Sequence, residues 1–238
     1  MRRAGVKLVI ALLAMTVTAR GDAMEMKPLT GGAATIVPLP QPRRDSNISV
    51  ERALRLRRSV RDYLDGPLTL AEAGQLLWAA QGLTTAGGLR TAPSAGALYP
   101  LELHLVAGNI TGLAAGTYRY LPREHALKPY LSGDRRARIC AASLGQAAIR
   151  RAPAALVFTA IFTRTTGKYG ERGVRYVYMD HGHAAENVYL QAASLQLGTV
   201  LIGAFDDAEV KRALALHPDE EPLSIMPVGR LRGATAAD

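Results

Sequence analysis

A continuous apolar run from Ala154 to Phe162, AALVFTAIF, restricts the fold of this 238-residue chain more than any other feature. The run carries no charge and has the length of one strand, and an uninterrupted apolar pattern is typical of a strand buried on both faces. The chain is 48% hydrophobic and 21% charged, which suffices for a sizeable core. We therefore predict one large globular domain, with or without short extensions, and exclude disorder of the whole chain.

Helical periodicity occurs on both sides of this run. The clearest helix follows Thr69, because Thr69 and Glu72 form a capping box and apolar residues recur at helical spacing up to Gly82. The longest predicted helix, from Arg175 to Leu197, is rich in alanine and ends at Gly198 in the position of a C-terminal cap. The remaining predicted helices cover 50–57, 134–147 and 206–216.

Other segments have the patterns of strands. LELHLVAG from Leu101 alternates apolar and polar residues, and TYRYL from Thr117 with ALKPYL from Ala126 predicts a hairpin around Pro122. TVLIGAF and SIMPVG predict two later strands, before and after the helix at 206–216. The result is an α+β domain whose elements alternate irregularly, without an internal repeat.

Residues 1–19, MRRAGVKLVIALLAMTVTA, have the three-part pattern of a secretory signal peptide. Cations precede an apolar run that is too short to span a bilayer, and small residues follow up to Ala19. We predict export after cleavage at Ala19 or Ala23; the alternative is an amphipathic helix that packs on the domain. The remainder divides into an extended leader at 20–48, the compact domain at 49–232 and a tail at 233–238.

Charge and cysteine content exclude several classes of function. The formal net charge is +9, but the arginines are scattered or interleaved with acids. The sequence has no basic stripe with interleaved aromatic residues, so we do not predict nucleic-acid binding. Cys140 is the single cysteine, which excludes an intramolecular disulfide and a thiolate metal cluster. His181 and His183 do not share a helical face, so we predict no metal site there.

Small stretches that are far apart in the sequence carry chemistry suited to a flat, anionic ligand. Arg57, Arg58 and Arg61 could bind a phosphate through their guanidinium groups, and Ser59 between them could bind a polyol. In TAPSAGALYP, Pro93 and Ser94 precede Ala95 and Gly96, whose small size leaves the backbone open to a ligand. Gly203 with Ala204, and Gly229 with Arg230, end two predicted strands in the same way. Each stretch also has a plainer explanation, as a solvated helix face or an ordinary turn.

The order of these stretches resembles the FMN-dependent nitroreductase superfamily, and within it the SagB/ThcOx-type branch. The resemblance covers about 49–232 and consists of RRSVRDY, TAPSAGALYP, KYGERGVRYVYMDHGHAAENVYLQAASLQLG, VLIGAF and PVGR, in that order. It implies a mixed sheet flanked by helices, and an intimate homodimer with two FMN sites at the subunit interface.

The resemblance also assigns roles to individual residues. It implies that Arg57 binds the FMN phosphate, that Ser59 contacts the ribityl chain, and that Arg61 is the cation near flavin N1 and O2. The small pair Gly203 and Ala204 would face flavin N5, although classical nitroreductases have Glu-Gly there. The segment that would reach FMN from the partner subunit is Pro93, Ser94, Ala95 and Gly96, and the C-terminal phosphate contact would be Gly229 with Arg230.

Lys168 and Tyr169 are the candidate catalytic residues. In azoline-oxidising members of the branch, a Lys-Tyr pair at this place is linked to proton removal while the flavin takes a hydride. A lysine acts as a base only where burial or a nearby cation lowers its pKa. The alternative is that Lys168 is a solvated loop residue.

The sequence therefore predicts an exported FMN-dependent oxidoreductase of the SagB/ThcOx type, acting on a small molecule or a modified peptide. The alternatives are a nitro or quinone reductase that uses NAD(P)H, and a non-catalytic relative that only binds flavin.

Overall fold

The computed structural model describes residues 35–232, which form a central sheet covered by helices on both faces. The strands are β1 Val37–Pro38, β2 Tyr63–Leu64, β3 Leu68–Thr69, β4 Leu101–Ala107, β5 Ile110–Thr111, β6 Gly116–Leu121, β7 Ala126–Ser132, β8 Ala154–Ala160, β9 Leu197–Thr199 and β10 Glu221–Leu231. The helices are α1 Val50–Leu56, α2 Leu70–Gln81, α3 Arg136–Ala142, α4 Ala147–Arg151, α5 Thr163–Tyr169, α6 Arg172–Ser194 and α7 Asp207–Leu214.

Strand β8 lies at the centre of an eight-stranded sheet with the order β1-β7-β6-β4-β8-β10-β2, in which β9 also pairs with β10. It pairs antiparallel with β4 and β10, and all its residues are buried. Parallel pairing occurs between β3 and β5 and at the single bridge from Ser59 to Thr199. Most of the apolar run from Ala154 to Phe162 is thus a buried central strand, and the predicted α+β class is confirmed.

The alternation of side chains along β8 divides the core into two layers. Leu156 and Phe158 point to the layer formed with α2 and α6, whereas Ala155 and Val157 point to the layer formed with α3 and α7. Small buried alanines on α6 let that long helix pack closely on the sheet and on α2.

The predicted caps differ in outcome. The capping box is confirmed, because the Thr69 side chain accepts from Glu72 N and the Glu72 carboxylate accepts from Thr69 N. The predicted cap at Gly198 is wrong, since α6 ends at Ser194 and Gly198 lies in β9. A Cβ at Gly198 would stand 2.8 Å from Val60, so this glycine serves close packing instead.

Two other predicted elements are shorter than expected. The helix predicted over 134–147 is only α3, which ends at Ala142, because Leu144 and Gly145 take positive φ values of 55° and 72°; a separate helix, α4, begins at Ala147. The strand predicted for TVLIGAF is also interrupted: pairing ends at Thr199, and beyond it only Ile202 bridges to Ile225. Val200 and Ile202 thus remain in the core, whereas Gly203 and Ala204 beyond them are exposed.

The part of the leader that the structure describes packs on the domain of its own chain. Val37 pairs with Leu127 of β7, Leu39 is buried, and the Gln75 side chain binds both the N–H and the C=O of Arg43 at 2.8 and 3.0 Å. The predicted signal peptide and tail lie outside the described residues. Among the helices of residues 35–232, none combines the length and apolar character needed to cross a bilayer.

A buried charge cluster lies at the start of β10. Glu220 accepts hydrogen bonds from His104 Nε2 and Thr159 Oγ1, each at 2.5 Å, and pairs with Arg119. Burial alone would raise the pKa of Glu220, but the bonds from His104 and Thr159 and the Arg119 charge outweigh it and lower the pKa to about 2. Glu220 is therefore an ionised carboxylate inside the fold.

Candidate active site

The end of α1 and the segment after β9 lie side by side. Helix α1 ends at Leu56, and the chain continues extended, so that Ser59 forms a parallel bridge with Thr199 and Val60 N donates to Thr199 O at 2.8 Å. This pairing brings the predicted phosphate and ribityl residues to the edge of the predicted N5 segment.

Tyr189 of α6 joins these two segments. Its hydroxyl lies 3.1 Å from Ser59 Oγ and accepts a hydrogen bond from Leu201 N at 2.7 Å. The Arg57 guanidinium lies 5.2 Å from the centre of the Tyr189 ring, and 3.9 Å separates Arg57 Nε from the Glu186 carboxylate. The sequence reasoning missed Tyr189; the available signal was a tyrosine at a buried position of an alanine-rich helix.

The rest of this region is open. Gly203 and Ala204 are exposed, and a Cβ at Gly203 would have no atom within 4 Å. Arg61 is exposed, and its neighbour Asp62 pairs instead with Arg151 and Arg232. This region therefore offers space and positive charge for a flat anionic group. The residues concerned are Arg57, Ser59, Arg61, Gly203 and Ala204.

Arg58 has a structural task. Its guanidinium donates to the carbonyl oxygens of Arg55 and Arg57 at 2.9 and 2.7 Å. These carbonyls belong to the last turn of α1, where an arginine can satisfy groups that the helix leaves unpaired. Arg58 thus stabilises the helix end that presents Arg57.

The loop from Thr91 to Tyr99 is held on α6. The buried carboxylate of Asp180 accepts from Ala95 N at 3.2 Å, and Asn187 Nδ2 donates to Thr91 O at 3.2 Å. Within the loop, Ser94 Oγ accepts from Tyr99 N at 2.9 Å, whereas Pro93 is exposed. The predicted flavin-contacting segment is therefore fixed before any ligand binds.

Gly96 in this loop contacts the candidate catalytic pair of the same chain. A Cβ at Gly96 would lie 2.7 Å from Tyr169 Oη and 3.1 Å from Lys168 Nζ, and the residue has a φ of 63°. Lys168 and Tyr169 end helix α5 rather than lying in a loop; Lys168 is exposed and Tyr169 half-buried, with its ring edge-on to Tyr176. The structure thus brings together two predicted motifs that are about 70 residues apart in the sequence.

Gly229 and Arg230 face other protein groups. Arg230 binds both carboxylate oxygens of Glu72, at 2.6 and 2.9 Å, and its guanidinium also donates to Pro67 O at 3.1 Å. A Cβ at Gly229 would lie 2.6 Å from the Tyr63 ring. A phosphate at Arg230 would have to displace Glu72, so the geometry gives Arg230 a role in fastening β10 to α2, whereas Gly229 allows close packing on Tyr63 of β2.

The two groups of candidate residues lie on different sides of α6. Asp180, which holds the Gly96 loop, and Tyr189, which holds Ser59, are nine residues apart, a separation of two and a half helical turns or roughly 13 Å along the axis. Residues so spaced project to opposite faces of a helix. A cavity of about 490 Å³ between the leader, α2 and α6 is lined by none of the predicted flavin-binding residues.

Of the two predicted histidines of α6, His181 has a role in the fold. His181 Nε2 lies 2.7 Å from Ser224 Oγ, its ring packs edge-on to Phe158, and burial lowers its pKa to about 4, so the ring is neutral at pH 7. His183 is exposed. Across residues 35–232, no three acidic, histidine or cysteine side chains cluster as metal ligands would.

Comparisons with known proteins identify the family of this chain. The sequence model of the Nitroreductase family matches residues 54–230. The protein named "Putative nitroreductase MJ1384" from Methanocaldococcus jannaschii is 46% identical over 183 residues, covering 77% of this chain and 91% of that protein. The "Microcin B17-processing protein McbC" of Escherichia coli is 33% identical over 132 residues, 53% of this chain and 48% of that protein.

A solved structure shows the same fold. The crystal structure of a nitroreductase from Ralstonia eutropha is similar with a TM-score of 0.74 and 30% identity, over 88% of this chain and 96% of that chain. The family match, which spans most of the chain, and these relatives lead to one conclusion: the chain belongs to the nitroreductase family and is a flavin-dependent oxidoreductase.

Proposed function

We propose that this protein is an FMN-dependent dehydrogenase of the SagB/ThcOx type that oxidises a modified peptide or a related small molecule. The observation that carries the proposal is the contact of Gly96 with Lys168 and Tyr169: the two residues expected to accept a proton lie against the loop expected to face the flavin. The similarity to a microcin-processing protein supports a peptide-derived substrate.

The open region around Tyr189 fits an FMN. Arg57 would bind the phosphate, Ser59 the ribityl chain, and Arg61 the edge of the ring that becomes negative on reduction. Bound FMN supplies acceptance and release of a hydride at N5, and the exposed Gly203 and Ala204 would leave N5 accessible. Arg230 is left out of this proposal, because Glu72 already holds it.

We infer that the site requires a second copy of the chain. In one subunit the residues that hold the Tyr189 group and the Gly96 loop project to opposite faces of α6, so we expect a flavin beside Tyr189 to lie away from the Gly96 loop of the same chain. A homodimer in which each copy lends its Gly96 loop to the other's FMN meets this requirement. The exposed Tyr178 and Met179 on α6, 55% and 51% accessible, and Val50 and Leu54 on α1 offer apolar surface for such an interface.

Lys168 and Tyr169 would move the proton. Oxidation of an azoline to an azole removes two electrons and two protons, of which one leaves as part of the hydride and one goes to a base. In one subunit Lys168 is exposed, and a neutral lysine needs a desolvated environment. We infer that the substrate and the partner subunit cover it, and that dioxygen then takes up the two electrons and two protons as hydrogen peroxide.

The visible spectrum of the purified protein tests the cofactor. We expect a yellow protein that releases FMN on denaturation and, from size-exclusion chromatography, a dimer. A colourless protein that FMN cannot reconstitute would refute the proposal. Bound FMN that no donor reduces would favour a non-catalytic relative instead.

Turnover assays distinguish the two catalytic candidates. Reduction of a nitro compound or a quinone by NADPH is the alternative, and the word nitroreductase in the name of the M. jannaschii relative supports the first of these. We expect oxygen-coupled oxidation of a thiazoline peptide to exceed it, and Lys168→Ala to abolish only the thiazoline reaction. Lys128→Ala, which removes an exposed lysine of β7, is the matched control. Equal loss of both reactions in Lys168→Ala would contradict the assigned role.

Export remains part of the proposal. A mature protein that begins after Ala19 or Ala23, recovered outside the cytoplasm and identified by N-terminal sequencing, would support it. Full-length protein retained in the cytoplasm would contradict it.

A further inference from the structure

A cavity of about 320 Å³ lies behind the Thr91–Tyr99 loop, between the end of α2, strand β4 and the turn that joins β6 to β7. Its size is at the lower end of the range for small-molecule sites. Charged side chains dominate its lining: Arg90, Arg119, Arg123, Arg164, Glu102 and Glu124.

The arginines of this cavity are only partly neutralised. Arg119 pairs with Glu220, and Arg164 Nη2 lies 2.5 Å from a carboxylate oxygen of Glu102. Within residues 35–232, by contrast, no carboxylate lies within 4 Å of the Arg90 or Arg123 guanidinium. The cavity thus has an excess of positive charge.

Arg90 is held in place in a manner that suits anion binding. Its Nη1 donates to Gln81 Oε1 at 2.7 Å, and its guanidinium carbon lies 4.4 Å from the centre of the Tyr99 ring. Burial lowers the pKa of Arg90, because a desolvated cation is costly, and the charge of Glu102 compensates this only in part. An anion in the cavity would offset that cost, and the fixed guanidinium loses little conformational entropy on binding it.

The cavity is connected to the candidate catalytic pair. Arg164 Nη1 donates to Tyr99 O at 3.2 Å, at the end of the loop that contains Gly96. Arg164 and Lys168 are four residues apart on α5, so they lie on one face of that helix, one turn apart. A ligand that extends from the cavity along this face would be directed towards Lys168.

We propose that this cavity binds a carboxylate or phosphate group of the substrate through Arg90 and Arg123, with the reacting part of the molecule directed towards Lys168. The proposal deepens the proposed function by naming an anionic substrate class. The binding step itself needs no flavin, which allows it to be tested separately.

Calorimetric titration of the flavin-free protein tests the site with three probes of similar shape: 4-nitrobenzoate, 4-nitrophenyl phosphate and the uncharged 4-nitrobenzyl alcohol. We expect at least one anion to bind more tightly than the alcohol, and Arg90→Gln to weaken that anion about tenfold while changing the alcohol less than twofold. Arg123→Gln, on an exposed turn, is expected to weaken it about threefold without affecting folding. The preferred anion identifies the group recognised.

Arg150→Gln is the matched control, because it removes one exposed arginine from α4. If Arg150→Gln weakens anion binding as much as Arg123→Gln does, or if the anions and the alcohol bind with equal affinity, the inference is overturned. Arg90-dependent anion binding in a protein that never takes up FMN would support the cavity and refute the proposed function. A yellow, active enzyme whose affinity for anions is unchanged by Arg90→Gln and Arg123→Gln would support the proposed function and refute the anion site in the cavity.

Discussion

Replacing Gly96 by alanine tests whether the loop and the Lys-Tyr pair touch in solution. Gly96 has a φ of 63°, a conformation that costs an L-residue roughly 1–2 kcal/mol. The new Cβ would also stand 2.7 Å from Tyr169 Oη. Because that hydroxyl ends a side chain that can rotate, relief of the collision costs about 1 kcal/mol, the low end for overpacking. We therefore expect Gly96→Ala to lower the free energy of unfolding by about 2–3 kcal/mol.

Two variants separate these contributions in urea unfolding of the flavin-free protein. Gly112 has a φ of 78° and nothing within 4 Å of a built Cβ, so Gly112→Ala reports the backbone cost alone. Adding Tyr169→Phe to Gly96→Ala removes the hydroxyl and is expected to restore about 1 kcal/mol. If Gly96→Ala costs no more than Gly112→Ala, and Tyr169→Phe restores nothing, the contact does not exist in solution and the proposed site loses its main support.

Three further predictions concern stability. The pKa of Glu220 is about 2 in the folded protein and 4.5 in the unfolded chain. Its contribution to the free energy of unfolding is therefore complete above pH 4.5 and declines as the pH falls towards 2. We expect Glu220→Gln to remove this decline in urea unfolding experiments. Burial lowers the pKa of His181 from 6.5 to about 4, so the unfolded chain takes up this proton first as the pH drops. We expect the free energy of unfolding to fall by up to about 3 kcal/mol between pH 6.5 and pH 4 for this reason. A His181→Asn variant with the same pH profile would contradict this. Arg230→Ala and Glu72→Ala, alone and combined, are expected to show a coupling free energy of about 1 kcal/mol in unfolding, with unchanged FMN occupancy. If Arg230→Ala instead reduces FMN occupancy, Arg230 does bind the FMN phosphate.

Local signals in the sequence predicted most of the fold. The capping box at Thr69 and Glu72 depends on residues three apart, and the buried strand at 154–160 depends on a continuous pattern, so both could be read without tertiary information. Gly198 was misassigned because a glycine after a helix usually marks a cap, whereas here the packing of Val60 against β9 requires it. That contact joins segments far apart in the chain.

The candidate site was predictable as a set of motifs but not as an arrangement. Arg57 and Arg230 look alike in the sequence, and only the fold shows that Glu72, 158 residues from Arg230, already binds the latter. The role of Tyr189 depends on two partners, Ser59 and Leu201, that the sequence cannot bring together. The contact of Gly96 with Tyr169 is of the same long-range kind.

The leader strand also bears on how this protein can be produced. Val37 and Pro38 cover the free edge of β7, and Leu39 fills a buried position beside it. A recombinant fragment that begins at Ser49 would expose that edge as a template for pairing with other chains, and would leave Gln75 without its partners in the Arg43 backbone. An expressed fragment should therefore begin upstream of Ile36. A fragment that begins at Ser49 is expected to aggregate.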